Sequence, residues 1–169
     1  MPSGALVETA EAIAALAHEA GVILIVNDRA DLVRLAGADG VHIGQDDLAP
    51  AAVRGLLGDE AIVGLSTHTV EQLDSAVCEA ITYVAVGPVF GTATKQTGYP
   101  AIGLALVREA ARRATAARMP LVAIGGITLD RAPEVIAAGA ASVAVIGDLL
   151  ATGDPEARVR EYLTRLANV

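Results

Sequence analysis

Short apolar runs alternate with amphipathic, alanine-rich segments along the chain. Each run is apolar on both faces, which is typical of a parallel strand covered by helices. We therefore predict an α/β fold in which strands and helices alternate. The predicted strands span residues 22–26, 40–43, 62–65, 83–86, 121–124 and 142–146. The predicted helices span residues 6–20, 31–36, 49–57, 70–80, 104–118, 129–138 and 155–166.

The junctions between a helix and the next strand are similar at residues 36–41, 79–84 and 138–143. At two of them, Gly37 and Gly139 stand where a left-handed residue would end the helix. Repeated strand-helix units of this kind favour a TIM (β/α)8-type barrel over an open doubly wound sheet. The first βα turn also lacks Gly-x-Gly-x-x-Gly, which argues against a dinucleotide-binding fold.

The length of the chain limits how much of a barrel it can form. A full TIM barrel has eight strands and about 200 residues or more, whereas this chain has 169 residues. We therefore predict one domain over residues 1–169, an incomplete barrel of about six βα units. The sequence begins on a helix, so the two strands that we do not find would belong on the N-terminal side.

The composition limits how the core is built and what the protein binds. Hydrophobic residues make up 53% of the chain but aromatic residues only 2%, so the core must consist of Val, Ile, Leu and Ala. The net charge is −8 and no basic stripe interrupts it, which argues against a nucleic-acid partner. An acidic protein that binds small phosphorylated substrates usually recruits a divalent cation.

The single cysteine and the hydropathy pattern bear on location. Cys78 cannot form an internal disulfide, which fits a reducing cytoplasm, and we interpret it as a small buried residue of a helix. No segment approaches the roughly 20 apolar residues of a membrane span, and the N-terminus lacks a basic region followed by an apolar one. We therefore predict a cytoplasmic protein without a membrane partner. A homo-oligomer stays open.

Acidic loops follow the first two predicted strands. The motif Asn-Asp-Arg at 27–29 follows the first strand, and Gly-Gln-Asp-Asp at 44–47 follows the second. A barrel would bring these strand ends to one rim, where Asp28 and Asp47 could share Mg²⁺, a hard cation that prefers oxygen ligands. The alternative is that Asp28 is a turn or N-cap residue and that Asp47 caps a helix beginning near Leu48.

The loop after the fourth predicted strand carries two hydroxyls and an ammonium group. From residue 87 it reads Gly-Pro-Val-Phe-Gly-Thr-Ala-Thr-Lys, which places Thr92, Thr94 and Lys95 past the strand end. These groups donate hydrogen bonds and include no base, so they suit an anion such as phosphate better than proton abstraction. The alternative is a solvated turn with one ordinary surface lysine.

The third predicted strand is followed by Ser-Thr-His-Thr. Ser66 can donate to a phosphate, and Thr69 is well placed to cap the next helix. His68 is either a general acid or base or only a polar loop residue, because no carboxylate is evident beside it. We interpret His42 as a structural histidine with satisfied hydrogen bonds and His18 as a surface residue. Histidines so scattered do not predict a zinc site.

Glycine-bearing loops follow the last two predicted strands, with Gly125-Gly126 in one and Ile146-Gly147 in the other. In phosphate-binding barrels the loops after the final strands present backbone N–H groups to the anion, and glycine allows close approach. A Gly-Gly pair alone occurs in any tight turn. Two such loops on the final strands predict a phosphate site.

Taken in order, these motifs resemble those of the thiamine-phosphate synthases. The resemblance runs from about residue 6 to the end, and its motifs lie at 27–29, 37–47, 66–69, 87–95 and 123–127. It implies a TIM barrel that joins hydroxymethylpyrimidine diphosphate to thiazole phosphate and releases pyrophosphate. It also implies a dissociative reaction, in which the C–O bond to the diphosphate breaks before the thiazole nitrogen captures the pyrimidine cation.

The resemblance implies roles for individual residues. The acids that would hold Mg²⁺ are Asp28 and Asp47. The residues that would bind the diphosphate are Asn27, Ser66 and Lys95, with Ser66 and Lys95 catalytic. The residues that would line the thiazole side or bind its phosphate are Thr92, Thr94, Gly126, Ile146 and Gly147. Such a set stabilises anions and a metal and supplies no nucleophile.

The sequence departs from the family pattern at two places. The family normally carries Gln-x-Arg-x-Lys on an early strand, and this chain has no match to it. The loss of two charge-assisted contacts is expected to cost several kcal/mol of transition-state stabilisation. Family members also often have Ser where this chain has Gly147, a change that keeps the backbone donor and loses a hydroxyl.

Two other functions stay open. A thiazole tautomerase-like protein would use His68 as its acid-base residue, although a tautomerase needs no diphosphate-bound metal at Asp28 and Asp47. A non-catalytic protein that binds thiazole phosphate would keep the glycine loops and lack turnover.

Overall fold

The computed structural model describes residues 3–92, 98–167 and 169. Thr94 and Lys95 therefore lie outside the described residues. The chain divides into two compact units, one of Met1–Ser66 and Glu79–Tyr83, the other of Thr67–Cys78 and Val84–Val169. The expectation of a single domain stays a prediction.

Strands and helices alternate through the described residues, as the hydropathy pattern predicts. The strands are β1 Ile25–Asn27, β2 Gly40–Ile43, β3 Ile62–Thr67, β4 Tyr83–Val86, β5 Leu121–Ile124 and β6 Ser142–Ala144. The helices are α1 Ser3–Glu19, α2 Ala30–Ala36, α3 Pro50–Leu57, α4 Val70–Ala76, α5 Gly103–Ala116, α6 Ala132–Ala137, α7 Gly147–Leu150 and α8 Pro155–Leu166.

In the first unit, β1, β2 and β3 are parallel neighbours in that order. Their register aligns Asn27, His42 and Gly64 in one row across the three strands. Val41 and Ile43 of the central strand β2 are completely buried. Because parallel strands end at the same edge of a sheet, this register brings the loops after β1 and β2 to one edge.

In the second unit, β4, β5 and β6 are also parallel neighbours in chain order. Val86 pairs with Ala123, and Ala123 pairs with Val143. The core is aliphatic, as the composition requires: Val84 and Val107 are among its completely buried side chains. Helix α5 packs against α4 and α6, and α8 packs against α6 and α7.

Several element bounds differ from the predicted ones. The first strand begins at Ile25 instead of 22, α4 ends at Ala76 instead of 80, and α6 covers Ala132–Ala137 instead of 129–138. The last strand ends at Ala144, and the short helix α7 follows it. The predicted helix stops are confirmed, since Gly37 and Gly139 both have positive φ.

The prediction for Cys78 is wrong, because this residue is exposed and lies beyond the end of α4. The helix ends early, so the thiol is not carried into the core. The surface position of His18 is confirmed by a side chain that is 49% exposed. No helix of the described residues is long and apolar enough to cross a membrane.

Candidate functional site

The end of β1 presents an amide and a carboxylate to solvent. Asn27 is the last residue of the strand, and both Asn27 and Asp28 are exposed. Asp28 has a φ of 63°, and its N–H donates to the His42 carbonyl at 2.8 Å. This left-handed conformation is uncommon outside glycine but tolerated by aspartate. The N-cap of α2 is Arg29, so the N-cap alternative for Asp28 is wrong.

The loop after β2 is closed by Asp47. Its Oδ2 accepts a hydrogen bond from the Gly44 N–H at 2.7 Å, and its side chain faces solvent. Helix α3 begins at Pro50 with Ala49 as its N-cap, so Asp47 does not cap that helix. The Gln45 side chain donates to the Ser66 carbonyl at 2.6 Å, which ties this loop to β3.

The acids of these two loops suit Mg²⁺ by the chemistry of their donors. Mg²⁺ is commonly held by one or two carboxylates together with waters and substrate phosphates. Asp28 and Asp47 offer two such carboxylates on loops that follow the paired strands β1 and β2. Within residues 3–92, 98–167 and 169, no group of three or more His, Cys, Asp or Glu side chains could hold a metal. Two carboxylates would leave the remaining ligands of an octahedral Mg²⁺ to waters and phosphate oxygens.

Ser66 belongs to a chain of three hydrogen-bonded side chains. Its hydroxyl lies 2.7 Å from His42 Nε2, and His42 Nδ1 lies 2.9 Å from the Tyr83 hydroxyl. The rings of His42 and Tyr83 are also stacked, with centroids 5.5 Å apart. Burial raises the pKa of Tyr83, which keeps its phenol protonated. The satisfied hydrogen bonds expected for His42 are confirmed, but sequence reasoning did not foresee Tyr83 as a partner.

The loops after β4 and β5 pack closely in the second unit. The Phe90 N–H donates to the Gly125 carbonyl at 3.0 Å. Gly126 has a φ of 64°, and a methyl group there would lie 2.5 Å from the Gly91 carbonyl oxygen. The Arg131 guanidinium lies 4.6 Å from the centre of the Phe90 ring and donates to the Gly126 carbonyl at 3.1 Å. Glycine at 126 is therefore required by both the backbone conformation and the available space.

The loop after β6 is held by a carboxylate to which sequence reasoning gave no role. Asp148 lies in the first turn of α7, next to the predicted phosphate-binding residues Ile146 and Gly147. It accepts hydrogen bonds from three residues: from the Tyr162 hydroxyl at 2.7 Å, from Arg158 Nε at 3.0 Å and Nη2 at 3.2 Å, and from the Leu129 N–H at 3.1 Å. Arg158 and Tyr162 are four residues apart on α8, so they share a helix face. In the sequence, this four-residue spacing is the one feature that could have indicated a shared partner for Arg158 and Tyr162.

His68 is oriented by a backbone carbonyl. Its Nδ1 lies 2.5 Å from the Gly87 oxygen, and its ring stacks on Tyr99 with centroids 3.9 Å apart. Because a carbonyl oxygen only accepts, Nδ1 carries the proton in the neutral ring, and Nε2 is the basic nitrogen.

The predicted cap of the next helix is confirmed, because Thr69 is the N-cap of α4 and its Oγ1 accepts from the Gln72 N–H at 3.2 Å.

The comparison with known proteins decides the family. A family model described as thiamine monophosphate synthase matches residues 1–149. The chain belongs to the thiamine monophosphate synthase family. A thiamine-phosphate synthase of Roseiflexus castenholzii (strain DSM 13941 / HLO8) is 45% identical over 160 residues, which cover 95% of this chain and 69% of that protein. One of Synechococcus sp. (strain WH7803) is 47% identical over 163 residues, which cover 96% of this chain and 45% of that protein.

One solved structure supports the same family, and a second supports the fold. Thiamine phosphate pyrophosphorylase from Pyrococcus furiosus matches with a TM-score of 0.90 and 27% identity, over 99% of this chain and 79% of that chain. N-(5'-phosphoribosyl)anthranilate isomerase from the same organism matches with a TM-score of 0.70 at 17% identity, which shows the fold alone. The predicted α/β class of TIM type, with six βα units in the described residues, is confirmed. The chain spans about two thirds of the first relative's length and about half of the second's.

Proposed function

We propose that this chain is a thiamine-phosphate synthase, a transferase that joins hydroxymethylpyrimidine diphosphate to thiazole phosphate and releases pyrophosphate. The main support is family membership together with Asn27, Asp28 and Asp47, which follow or end two neighbouring strands whose loops share an edge. Polar groups at the carboxyl ends of parallel strands are where ligands of such folds bind. We therefore place the diphosphate at this edge.

The first step is the departure of the diphosphate. The C–O bond between pyrimidine methylene and diphosphate breaks, both electrons leave with the oxygen, and the pyrimidine is left as a cation. Negative charge grows on the leaving oxygens, so groups that donate hydrogen bonds to them lower the barrier. In the proposal these groups are the Ser66 hydroxyl, the Asn27 amide and the Lys95 ammonium, and Lys95 lies outside the described residues.

Asp28 and Asp47 would hold Mg²⁺ against the same diphosphate. The metal would supply charge neutralisation of the leaving group. The Gly44 N–H that binds Asp47 Oδ2 at 2.7 Å holds this carboxylate in a fixed orientation. This leaves Oδ1 as the oxygen that is offered to a cation. A protein with a net charge of −8 has a particular need of such a mediator when it binds a diphosphate.

The second step is the capture of the cation by the thiazole nitrogen, which forms the new C–N bond. The protein has no proton to abstract here, so its task is to hold the two substrates in line. We assign the thiazole phosphate to the amides of Gly126, Ile146 and Gly147, and the thiazole side to Thr92 and Thr94. Gly125 and Gly126 both have positive φ, and turns of this kind can point successive backbone N–H groups at an anion.

The remaining expectations follow from this activity. The partners would be the two small-molecule substrates and no nucleic acid, the location would be the cytoplasm, and a homo-oligomer stays open. That the loops of all strands meet at one rim also stays a prediction.

The proposal is tested by pyrophosphate release from the full chain with both substrates. We expect release that needs Mg²⁺, is lost on chelation and returns when Mg²⁺ is restored. Asp28→Asn and Asp47→Asn are each expected to lower kcat by roughly a hundredfold or more with folding intact. Asp46→Asn is the matched control, because Asp46 is an exposed acid of the same loop with no assigned role. Wild-type rates in Asp28→Asn and Asp47→Asn would reject the metal assignment.

The tautomerase alternative has one observation in its favour, which is the fixed orientation of His68. A carbonyl at Nδ1 leaves Nε2 as a base. The two functions differ in products: isomerisation of a thiazole without pyrophosphate release would support the tautomerase. Binding of thiazole phosphate with neither reaction would support a non-catalytic protein.

A further inference from the structure

The hydrogen bonds between Tyr83, His42 and Ser66 have a direction that the ring nitrogens of His42 must set. A neutral imidazole carries one proton, so one of its nitrogens donates and the other accepts. If Nδ1 accepts from the Tyr83 hydroxyl, Nε2 carries the proton and donates to Ser66 Oγ. In the opposite tautomer, the Ser66 hydroxyl would donate to Nε2. The two arrangements give Ser66 opposite properties toward an anion.

We propose that Tyr83 and His42 are positioning residues that turn the Ser66 hydroxyl proton outward, toward the diphosphate. Tyr83 donates to His42 Nδ1, which fixes the proton on Nε2. His42 Nε2 then donates to Ser66 Oγ, so the serine proton stays available for an oxygen of the leaving group. This inference rests on the proposed function, since it assigns Ser66 the diphosphate as its acceptor.

The distances support a continuous chain of hydrogen bonds. The Tyr83 hydroxyl lies 2.9 Å from His42 Nδ1, and His42 Nε2 lies 2.7 Å from Ser66 Oγ. Both values are normal for strong hydrogen bonds. His42, Ser66 and Tyr83 are all half-buried, so bulk water does not freely replace these contacts. A chain of this kind polarises each of its members.

The absence of a side chain at Gly64 makes room for the Tyr83 ring. Gly64 pairs directly with His42 in the register of β2 and β3, and the Tyr83 ring lies against it. A methyl group at residue 64 would lie 2.1 Å from Tyr83 Cζ and 2.4 Å from its hydroxyl oxygen. Any side chain at this position would therefore push the phenol away from His42.

The role of Ser66 itself explains why the direction matters. A diphosphate oxygen is an acceptor and cannot donate to a serine whose proton is already engaged. A serine that donates to a histidine instead suits nucleophilic attack, as in a hydrolase. The proposed reaction forms no bond to the protein, so the outward donor is the arrangement it requires.

The experiment reads the tautomer of His42 directly by ¹⁵N NMR of the full chain, at about pH 8, where an ordinary imidazole is neutral. The signals are assigned by their loss in His42→Gln, since the chain has three histidines. We expect the proton on Nε2 in the wild type and a mixture of tautomers in Tyr83→Phe. Tyr99→Phe is the matched control, because this hydroxyl binds the Gln72 amide instead of a histidine. A proton on Nδ1 in the wild type, or the same tautomer in Tyr83→Phe, would overturn the inference.

A second measurement asks whether Tyr83 acts through Ser66. Binding of inorganic pyrophosphate with Mg²⁺ is expected to weaken roughly tenfold in Tyr83→Phe, and not further when Tyr83→Phe is added to Ser66→Ala. Equal weakening in both backgrounds would show that Tyr83 acts independently and would overturn the proposal. The tautomer is measured without turnover, so failure of this inference is distinguishable from failure of the synthase assay.

Discussion

Tyr83 occupies the space that a side chain at residue 64 would need. The atom nearest to a methyl group at that position is Tyr83 Cζ, at 2.1 Å. Real Cβ contacts do not reach such distances, so the glycine and the tyrosine depend on each other. The structure therefore makes a clear prediction for the variant Gly64→Ala.

Gly64→Ala is expected to lower the free energy of unfolding by about 1–3 kcal/mol, the usual cost of overpacking a closely packed position. It should also move the His42 ring signals, because the phenol must leave its place. Urea unfolding and NMR measure the two effects. Gly55→Ala is the matched control: residue 55 lies on the exposed face of α3 with open space around it, and alanine there should raise stability by up to about 1 kcal/mol. An unchanged free energy of unfolding in Gly64→Ala would show that the Tyr83 ring does not lie against residue 64.

The strands that the sequence predicted best are those whose apolar run is interrupted on both sides. Strands β2, β4 and β5 have the predicted bounds. The predicted start of β1 is too early because the C-terminal cap of α1 extends to Val22. The Val22 N–H donates to the Ala17 carbonyl at 2.7 Å, and Gly21 has a positive φ. Val22 is therefore part of a helix cap, although its side chain continues the apolar run.

The contacts that define the site were the least predictable. Motifs indicated Ser66 as a donor, but its partner His42 is 24 residues away in sequence, and Tyr83, which contacts His42, is 17 residues away from Ser66. The pairing of β2 with β3 brings His42 close to Ser66, and Tyr83 reaches His42 from the next strand, β4. Asp148 was overlooked for the same reason, because its donors come from α8 and from the loop after β5. A four-residue helix such as α7 also carries no periodic signal.

Arg54 ties α3 to the chain segments that precede β3 and β4. Its guanidinium donates to four carbonyls, those of Gly58, Asp59, Ala61 and Ala80, and to the Thr82 hydroxyl. We expect Arg54→Met to lower the free energy of unfolding by about 2–3 kcal/mol, because several carbonyls lose a charged donor. Arg54→Lys should not restore the lost stability, since an ammonium group cannot match the hydrogen-bond geometry of the planar guanidinium. Arg34→Met on the exposed face of α2 is the control, expected within about 0.5 kcal/mol of the wild type. A loss of stability in Arg54→Met as small as that in Arg34→Met would contradict the prediction.

Gly126→Ala tests the assignment of the thiazole phosphate. The substitution strains a residue with a φ of 64° and places a methyl group 2.5 Å from the Gly91 carbonyl oxygen. We expect binding of thiazole phosphate to weaken roughly tenfold or more, because the amide moves from its place. Calorimetry with thiazole phosphate and, separately, with Mg²⁺ and pyrophosphate gives the comparison. Weakening confined to thiazole phosphate supports the assignment, whereas loss of pyrophosphate binding alone would contradict it.

Asp148→Asn tests whether one carboxylate holds the loops after β5 and β6. Burial works against the charge of Asp148, but hydrogen bonds from Arg158 and Tyr162 outweigh it and lower the pKa of the carboxyl. A lowered pKa in the folded state stabilises the protein above the unfolded-state pKa of about 4, and this contribution is lost as the pH falls through the folded value. We expect Asp148→Asn to cost about 1–2 kcal/mol at pH ~7, with the difference from the wild type shrinking below pH ~4.

Urea unfolding of both proteins across this pH range measures the difference. Asp130→Asn is the control, since Asp130 is an exposed acid close to the same loop. Its substitution should change the free energy of unfolding little, because an exposed charge contributes little to stability. A constant difference between wild type and Asp148→Asn at every pH would mean that the carboxylate contributes by its shape and not by its charge. In that case the hydrogen bonds from Arg158 and Tyr162 would not be what joins α7 to α8.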